Sequence, residues 1–265
     1  MKTTGRRRSG YILDLSLPLS EETPMKYFLL MICALGSALA QTARNPLEEM
    51  TERLATPEPL PYGPALMEQV QANLPQMPLL LTGEIRTRRE EGRSTRRLIS
   101  ELRFGDLPPK LSFELADAFG SPMESFRVEW RENTPVWIQE DTSIETPEEL
   151  ADTGLNGADL ALEFLWWPGA ETTGIRRIRA RDAYEVRIPS PTGNGGVRLW
   201  IDKRALFVVE AETLDENEKV LRRLQVDKLK KIREELWMVQ DLVIRDYEND
   251  RTIKIRFSDV VELER

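Results

Sequence analysis

RTIKIRFSDVVEL, residues 251–263, decides the fold. Ile253, Ile255 and Phe257 alternate with Lys254, Arg256 and Ser258, the period of two that sets apolar groups on one face of a strand and polar groups on the other. The residues from Ala183 up to it repeat the theme. AYEVRIPSP, GVRLWID, ALFVVEAET, KVLRRLQVDKL and ELWMVQDLVIRDYE read as strands. The segments joining them are short: Thr192–Gly196, Asp202–Arg204, Asp215–Asn217 and Asn249–Asp250. Such turns connect neighbouring antiparallel strands, so the region is a meander. It has neither a βαβ rhythm nor a Gly-rich phosphate loop.

Further upstream, LLLTGEIRTRR places Leu79, Leu81, Gly83 and Ile85 on one face and Glu84, Arg86 and Arg88 on the other. Glu90-Glu91-Gly92 turns it into STRRLISELRF, a hairpin partner. LSFELADAF, SFRVEW and TPVWIQ follow, separated by Gly120-Ser121-Pro122 and Glu132-Asn133, and a loop rich in Thr, Glu and Pro runs on to Gly157. Two stretches have helical spacing. ALMEQVQANL carries Leu66, Val70 and Leu74 four apart and is stopped by Pro75 and Pro78. ADLALEFLWW, capped by Asn156 or Asp159 and ended by Pro168-Gly169, aligns Leu160, Phe164 and Trp167 and leaves Trp166 off that stripe. The expected fold is mainly β (α+β). It is an incomplete antiparallel β-barrel, or strongly curved sheet, of about 10–11 strands with short helices covering the concave face.

The N-terminus reads differently. From Met25, MKYFLLMICALGSALAQ has a basic start, an apolar run and an Ala38-Leu39-Ala40 cleavage site before Gln41, the pattern of a secretory signal peptide. The run is too short to span a bilayer. Ile32 stands where a lipoprotein signal before Cys33 wants a small residue, and acidic residues with Pro24 separate Arg6-Arg7-Arg8 from the apolar run. Residues 1–24 therefore read as a start-site artefact or leader extension and 25–40 as a signal peptide cleaved after Ala40. Residues 41–62 are a flexible segment, and 63–265 form one domain. The expected location is the periplasm.

Composition excludes much chemistry. The 265 residues carry 37 Lys+Arg against 45 Asp+Glu, a net charge of −8. Removing residues 1–40 takes away five of the basic and three of the acidic residues and leaves −10. Such a chain lacks the basic footprint of a nucleic-acid binder. The Arg-rich stretches 86–97 and 176–181 read as solvated strand faces. Histidine is absent and the single cysteine, Cys33, leaves with the signal peptide. That removes Ser-His-Asp and Cys-His nucleophilic sites, His/Cys zinc sites and disulfides. Carboxylate chemistry using pairs from Asp227, Asp241 or Glu234 remains formally open, but 42 acidic residues in the exported chain guarantee chance pairs. No cofactor is implied. From the residue pattern alone, a filled aromatic core and an apolar ligand cavity between sheet and helices stand level.

VRLWIDKRALFVVEAETLDENEKVLRRLQVDKL, then ELWMVQDLVIRD and TIKIRFSDVVEL, resembles the C-terminal half of the LolA-like outer-membrane lipoprotein-sorting proteins. Leu199-Trp200-Ile201-Asp202-Lys203, Trp237 and Phe257-Ser258-Asp259-Val260 carry the likeness, and GADLALEFLWWPG resembles the aromatic segment that precedes the last strands in that family. It covers most of residues 78–262 and is densest after 157. Where the family has Gly before its aromatic, this chain has Glu234-Glu235-Leu236, so that turn is built differently. The resemblance implies a half-barrel with a helical lid over an apolar cavity for acyl chains of lipid or lipoprotein. It also implies donor and acceptor membrane proteins of the envelope as partners, and no enzymatic activity. The alternative is an interaction module of the same fold without lipid cargo. No ligand-contacting residue of the family is carried over by position. The large apolar residues that are candidates to line the cavity are Leu79, Leu81, Trp130, Trp137, Phe164, Trp166, Trp167, Trp200, Trp237 and Phe257.

FLWWPG, residues 164–169, poses the sharpest question. Adjacent indoles diverge by about 100° on a helix, so a single core cannot easily take in both Trp166 and Trp167. The expectation is that this segment lies across the open face of the half-barrel, with one indole on the sheet and the other at the cavity or its mouth. The competing reading is that both merely plug the barrel end.

Overall fold

A computed structural model describes residues 58–132, 134–233 and 236–264. The expected leader, the signal peptide and most of the 41–62 segment lie outside the described residues, as do Glu234 and Glu235. Alternation is translated directly into burial. In β1 (Leu79–Arg89) buried positions recur at every second residue from Leu79 to Thr87. In β13 (Arg251–Glu262), Ile253 and Ile255 are buried while Lys254 and Arg256 are exposed.

The first half continues with β2 (Gly92–Arg103), β3 (Lys110–Ala116), β4 (Pro122–Arg131), β5 (Thr134–Gln139) and β6 (Thr142–Ile144). The second half begins at β7 (Glu171–Ile178) and runs through β8 (Arg181–Pro189), β9 (Gly196–Asp202), β10 (Val208–Leu214), β11 (Val220–Arg233) and β12 (Leu236–Asp246) to β13. All 13 strands form one antiparallel sheet in the order β6-β5-β4-β3-β2-β1-β13-β12-β11-β10-β9-β8-β7. It is not closed, since β6 and β7 each have one neighbour. At its centre β1 pairs with β13, in register Ile85 to Ile255, with a bulge at Thr82/Gly83.

Tight turns fit the right-handed twist of the strands. Glu140-Asp141 and Arg179-Ala180 each take two positive φ values between 49° and 64°, the two-residue hairpin geometry that matches the right-handed twist of the strands. The count exceeds expectation by two strands, and both additions are the edges. β6 has three residues and none buried, and β7 holds only exposed and half-buried positions, with three exposed in a row at Ile175–Arg177. Strands with a single neighbour and no core face leave no apolar alternation to read.

Three short helical pieces lie on one face of the sheet. α1 (Gly63–Ala72) buries Leu66, Met67 and Val70. The second predicted helix is broken in two: α2 (Gly157–Ala161), with Asn156 Oδ1 accepting from the Asp159 amide at 2.7 Å, then a 3₁₀ turn over Glu163–Trp166. Leu162, at φ 51°, is the break. These pieces and the inward residues of both half-sheets share one core that includes Ile85, Leu98, Phe113, Val128, Leu199 and Ile255. Leu79, Leu81 and Met238 form a smaller cluster beside it. No helix of the described residues is long and apolar enough to cross a membrane.

The start of α1 is seated against the beginning of β7. A Cβ on Gly63 would stand 2.2 Å from the Ala170 carbonyl oxygen, and backbone cannot yield as a side chain tip can. We predict that Gly63→Ala costs about 1–3 kcal/mol, the usual range for overpacking. Urea unfolding checks this, with an unchanged m-value expected.

Candidate functional site: an aromatic face under a crossing belt

Because β6 and β7 occupy opposite edges, the segment 145–170 between them runs across the helical, core-bearing face of the sheet. Polar contacts fix its path. Near its start the Thr87 hydroxyl donates to the Thr153 carbonyl at 2.6 Å, Arg96 Nε donates to the Ala151 carbonyl at 3.1 Å, and the Ala151 amide donates to Glu124 Oε2 at 2.7 Å. Arg89 donates to the Asp152 carbonyl at 2.6 Å and Arg222 to the Gly154 carbonyl at 3.0 Å. Further along, Gln71 of α1 donates to the Leu165 carbonyl at 2.6 Å.

Under the far part of the belt lies an aromatic floor. The ring of Trp166 is centred 4.4 Å from that of Trp130 and 6.0 Å from that of Phe104. Trp137 stacks on Phe113 at 6.1 Å and meets Phe126 edge-on at 5.9 Å. Phe164 is buried in the same core, and Trp167 packs half-buried against it. The left-handed Leu162 and the tighter 3₁₀ turn reset the helical phase, so Trp166 faces the sheet instead of lying off the buried stripe.

The candidate lining residues divide by strand parity. Trp130, Trp137, Phe164, Trp166 and Trp167 meet in the main cluster; Leu79 and Leu81 sit in the adjoining one, and half-buried Phe257 touches both. Trp200 and Trp237 do not join them. Val197, Leu199 and Ile201 of β9 enter the core, so Trp200 between them points to the outer face. There it is buried opposite Glu185 and Glu210 on the flanking strands. Trp237 alternates with inward Met238, is 57% exposed and lies under the Lys231 ammonium. Both are corrections to the expected lining. A groove of about 870 Å³ opens on the outer face, over strands β13 to β5, with Thr82, Arg97, Ile99, Met123 and Arg256 among its walls.

Sequence reasoning missed the charged groups beneath the belt. Glu163 is 6% exposed and accepts from Trp137 Nε1 at 2.6 Å and from the Thr146 hydroxyl at 3.2 Å. Burial pushes its carboxyl above the usual range, and the two hydrogen bonds oppose this only in part. Asp159 lies 2.7 Å from Arg222 Nη2, and Arg222 Nη1 donates to Asp246 at 3.1 Å, so two carboxylates share one guanidinium. Burial raises the Asp159 carboxyl against the pull of Arg222. The available signal was Asp159 and Glu163 standing alone within the otherwise apolar run ADLALEFLWW.

The sequence matches no family model and no curated protein. Solved structures do resemble it. A putative outer membrane lipoprotein-sorting protein domain from Vibrio parahaemolyticus aligns with TM-score 0.65 and 13% identity, over 76% of this chain and 94% of that one. A LolA superfamily protein from Nitrosomonas europaea aligns with TM-score 0.60 and 12% identity, over 78% and 96%. The fold is LolA-like. A DUF1329 family protein from Desulfovibrio piger gives TM-score 0.64 and 13% identity, over 75% and 90%. At these identities the likeness is one of architecture.

Glu163 offers a test of how the belt is held. Its folded pKa is raised, so the stability that its protonation adds is fully present below the unfolded value. That stability is lost as pH rises through the folded value. Glu163→Gln keeps an acceptor for Trp137 and removes the buried charge. The difference in unfolding free energy, variant minus wild type, should therefore grow as pH is raised from the ordinary carboxylate range toward neutrality. Glu163→Ala should lose about 1–3 kcal/mol by orphaning the indole N–H. Urea titrations across that pH range measure both, and a difference independent of pH would mean the acid is ionised in the unfolded and folded chain alike.

Proposed function

We propose that the protein is an exported, periplasmic, non-enzymatic carrier. It binds the acyl chains of lipid or lipoprotein between its concave face and the crossing belt, and hands them between envelope membranes through contacts with membrane proteins. The observation that carries this reading is the aromatic floor roofed by a single chain segment. A cover whose inner surface is Trp166, Phe164 and Leu165 can exchange one apolar neighbour for another. The lining groups would be Leu79, Leu81, Trp130, Trp137, Phe164, Trp166, Trp167 and Phe257. The likeness of fold to a lipoprotein-sorting domain supports the same reading.

The energetic demand is definite. Each CH₂ kept from water is worth about 0.8 kcal/mol, so a chain of roughly sixteen carbons needs on the order of 10 kcal/mol of shelter. Burial alone supplies that, and no catalytic group is required. A second reading, an envelope interaction module without lipid cargo, is favoured by the outer groove, where Ile99 and Met123 are exposed.

Native mass spectrometry of the protein purified gently from a bacterial envelope, with extraction and identification of lipid, distinguishes the two. Phospholipid or acylated peptide is expected at fixed stoichiometry. It should be reduced at least tenfold in a Trp166→Ala/Trp167→Ala variant that still unfolds cooperatively, given the 1.5–3 kcal/mol a large buried apolar side chain typically contributes. A protein that carries no lipid and ignores added acyl ligands is the interaction module.

A further inference from the structure

The outer face of the central strands is basic on an acidic chain. Cross-strand registers arrange it in three rows. The first joins Arg93, Arg88, Thr252 and Arg245. The second joins Thr95, Arg86, Lys254 and Val243. The third joins Arg97, Glu84, Arg256, Asp241 and Lys228. The eight cations of these rows are all exposed, and only two carboxylates, Glu84 and Asp241, stand among them. Those two are taken up by Arg86 at 2.6 Å and Arg256 at 2.8 Å. Arg88, Arg93, Arg97, Lys228, Arg245 and Lys254 make no ion pair among the described residues.

We propose that this face docks the protein on an anionic bilayer surface by binding lipid phosphates. With strands about 4.8 Å apart and alternate residues about 6.7 Å apart, the rows cover roughly 20 by 13 Å. Cations spread over such an area match a two-dimensional array of phosphates, whereas a single anion requires convergent donors. The outer groove of about 870 Å³, which Glu84, Glu114, Glu124 and Glu140 line together with Arg97 and Arg256, is no seat for a phosphate, so the contact is with the rows themselves. The arrangement leaves the belt, on the opposite face, out of the contact. The inference extends the carrier reading, but its test needs no cargo.

The test is sedimentation of the exported protein, its N-terminus verified by mass, with phosphatidylcholine vesicles and with vesicles containing phosphatidylglycerol. Binding is expected to the anionic vesicles only, and to fall steeply as salt is raised from about 50 to about 300 mM. Each cation near a charged bilayer contributes about a fivefold factor, so Arg88→Ala/Arg245→Ala/Lys254→Ala should weaken binding on the order of a hundredfold. Because these side chains are exposed, the triple variant should keep its unfolding midpoint. Arg177→Ala/Arg204→Ala, exposed on β7 and in the connection from β9 to β10, serves as a folded control and should bind like wild type. Equal binding to both vesicle types, or an undiminished triple variant, overturns the proposal. So does a protein that ignores vesicles but binds a poly-glutamate peptide, which would assign the face to an acidic protein. Lipid recovered under the belt in the absence of vesicle binding would leave the carrier reading standing and remove this one.

Discussion

The pairing of β1 with β13 governs everything else. Once the first and last strands meet at the centre of the sheet, the two half-meanders must grow outward in opposite directions, and their free ends become the two edges. One connection, residues 145–170, has to join edge to edge. Twelve strand intervals of about 4.8 Å amount to roughly 58 Å across a flat sheet. The connection spends ten residues, Gly157 to Trp166, in helical turns and the Leu162 break between them. It also folds back where the Leu150 amide reaches the Leu155 carbonyl, which leaves little slack for a flat crossing. Curling the sheet shortens the path and wraps the apolar face around the belt. Curvature, core and cover are consequences of one register.

A belt crossing an apolar face must bring its own backbone groups with it, and an unpaired buried amide or carbonyl is expensive. That is the physical reason for the polar side chains reaching up from the sheet: Thr87, Arg89, Arg96, Glu124 and Arg222 satisfy consecutive backbone positions from Ala151 to Gly154. The buried Asp159–Arg222–Asp246 group belongs to the same arrangement. Ion pairs of this kind are weak sources of net stability because desolvation offsets most of the attraction. They are specific, however, since a displaced partner leaves a naked charge. They place α2 over β11 and β12 at one position, where an apolar contact would tolerate sliding.

How much of this the sequence discloses depends on how many neighbours an element has. β1, β2 and β8 to β13 announce themselves because each is paired on both sides and buries at least one face, β8 to β10 burying residues of both. β6 and β7 bury nothing and were unreadable as strands. The aromatic cluster was legible by type but not by direction. Trp130 and Trp137 share parity with buried neighbours, while Trp200 and Trp237 occupy the opposite parity, and only the flanking Leu199, Ile201 and Met238 reveal it. Trp166 departs from the expected stripe for another reason. A helical stripe assumes an unbroken helix, and nothing in ADLALEFLWW marks Leu162 as left-handed, a conformation that leucine rarely takes. The partners of Glu163 come from β5 and from Thr146, too far along the chain for any local pattern to show.

The two sides of the sheet thus carry different chemistry at comparable strength. Beneath the belt, about half a dozen hydrogen bonds at roughly 1 kcal/mol each and ring contacts at roughly 0.5–1.5 kcal/mol each hold the cover down. Their sum is about 7–9 kcal/mol, counting the two ring contacts of Trp166, and the burial of Phe164, Leu165 and Trp166 adds about 1.5–3 kcal/mol for each side chain. On the carrier reading proposed above, such a cover would have to yield to cargo, whereas a much weaker one would leave the aromatic floor exposed to water and to other chains. With no histidine in the sequence and its one cysteine at residue 33, the exchange that this reading describes would rest on contacts made and lost between apolar groups.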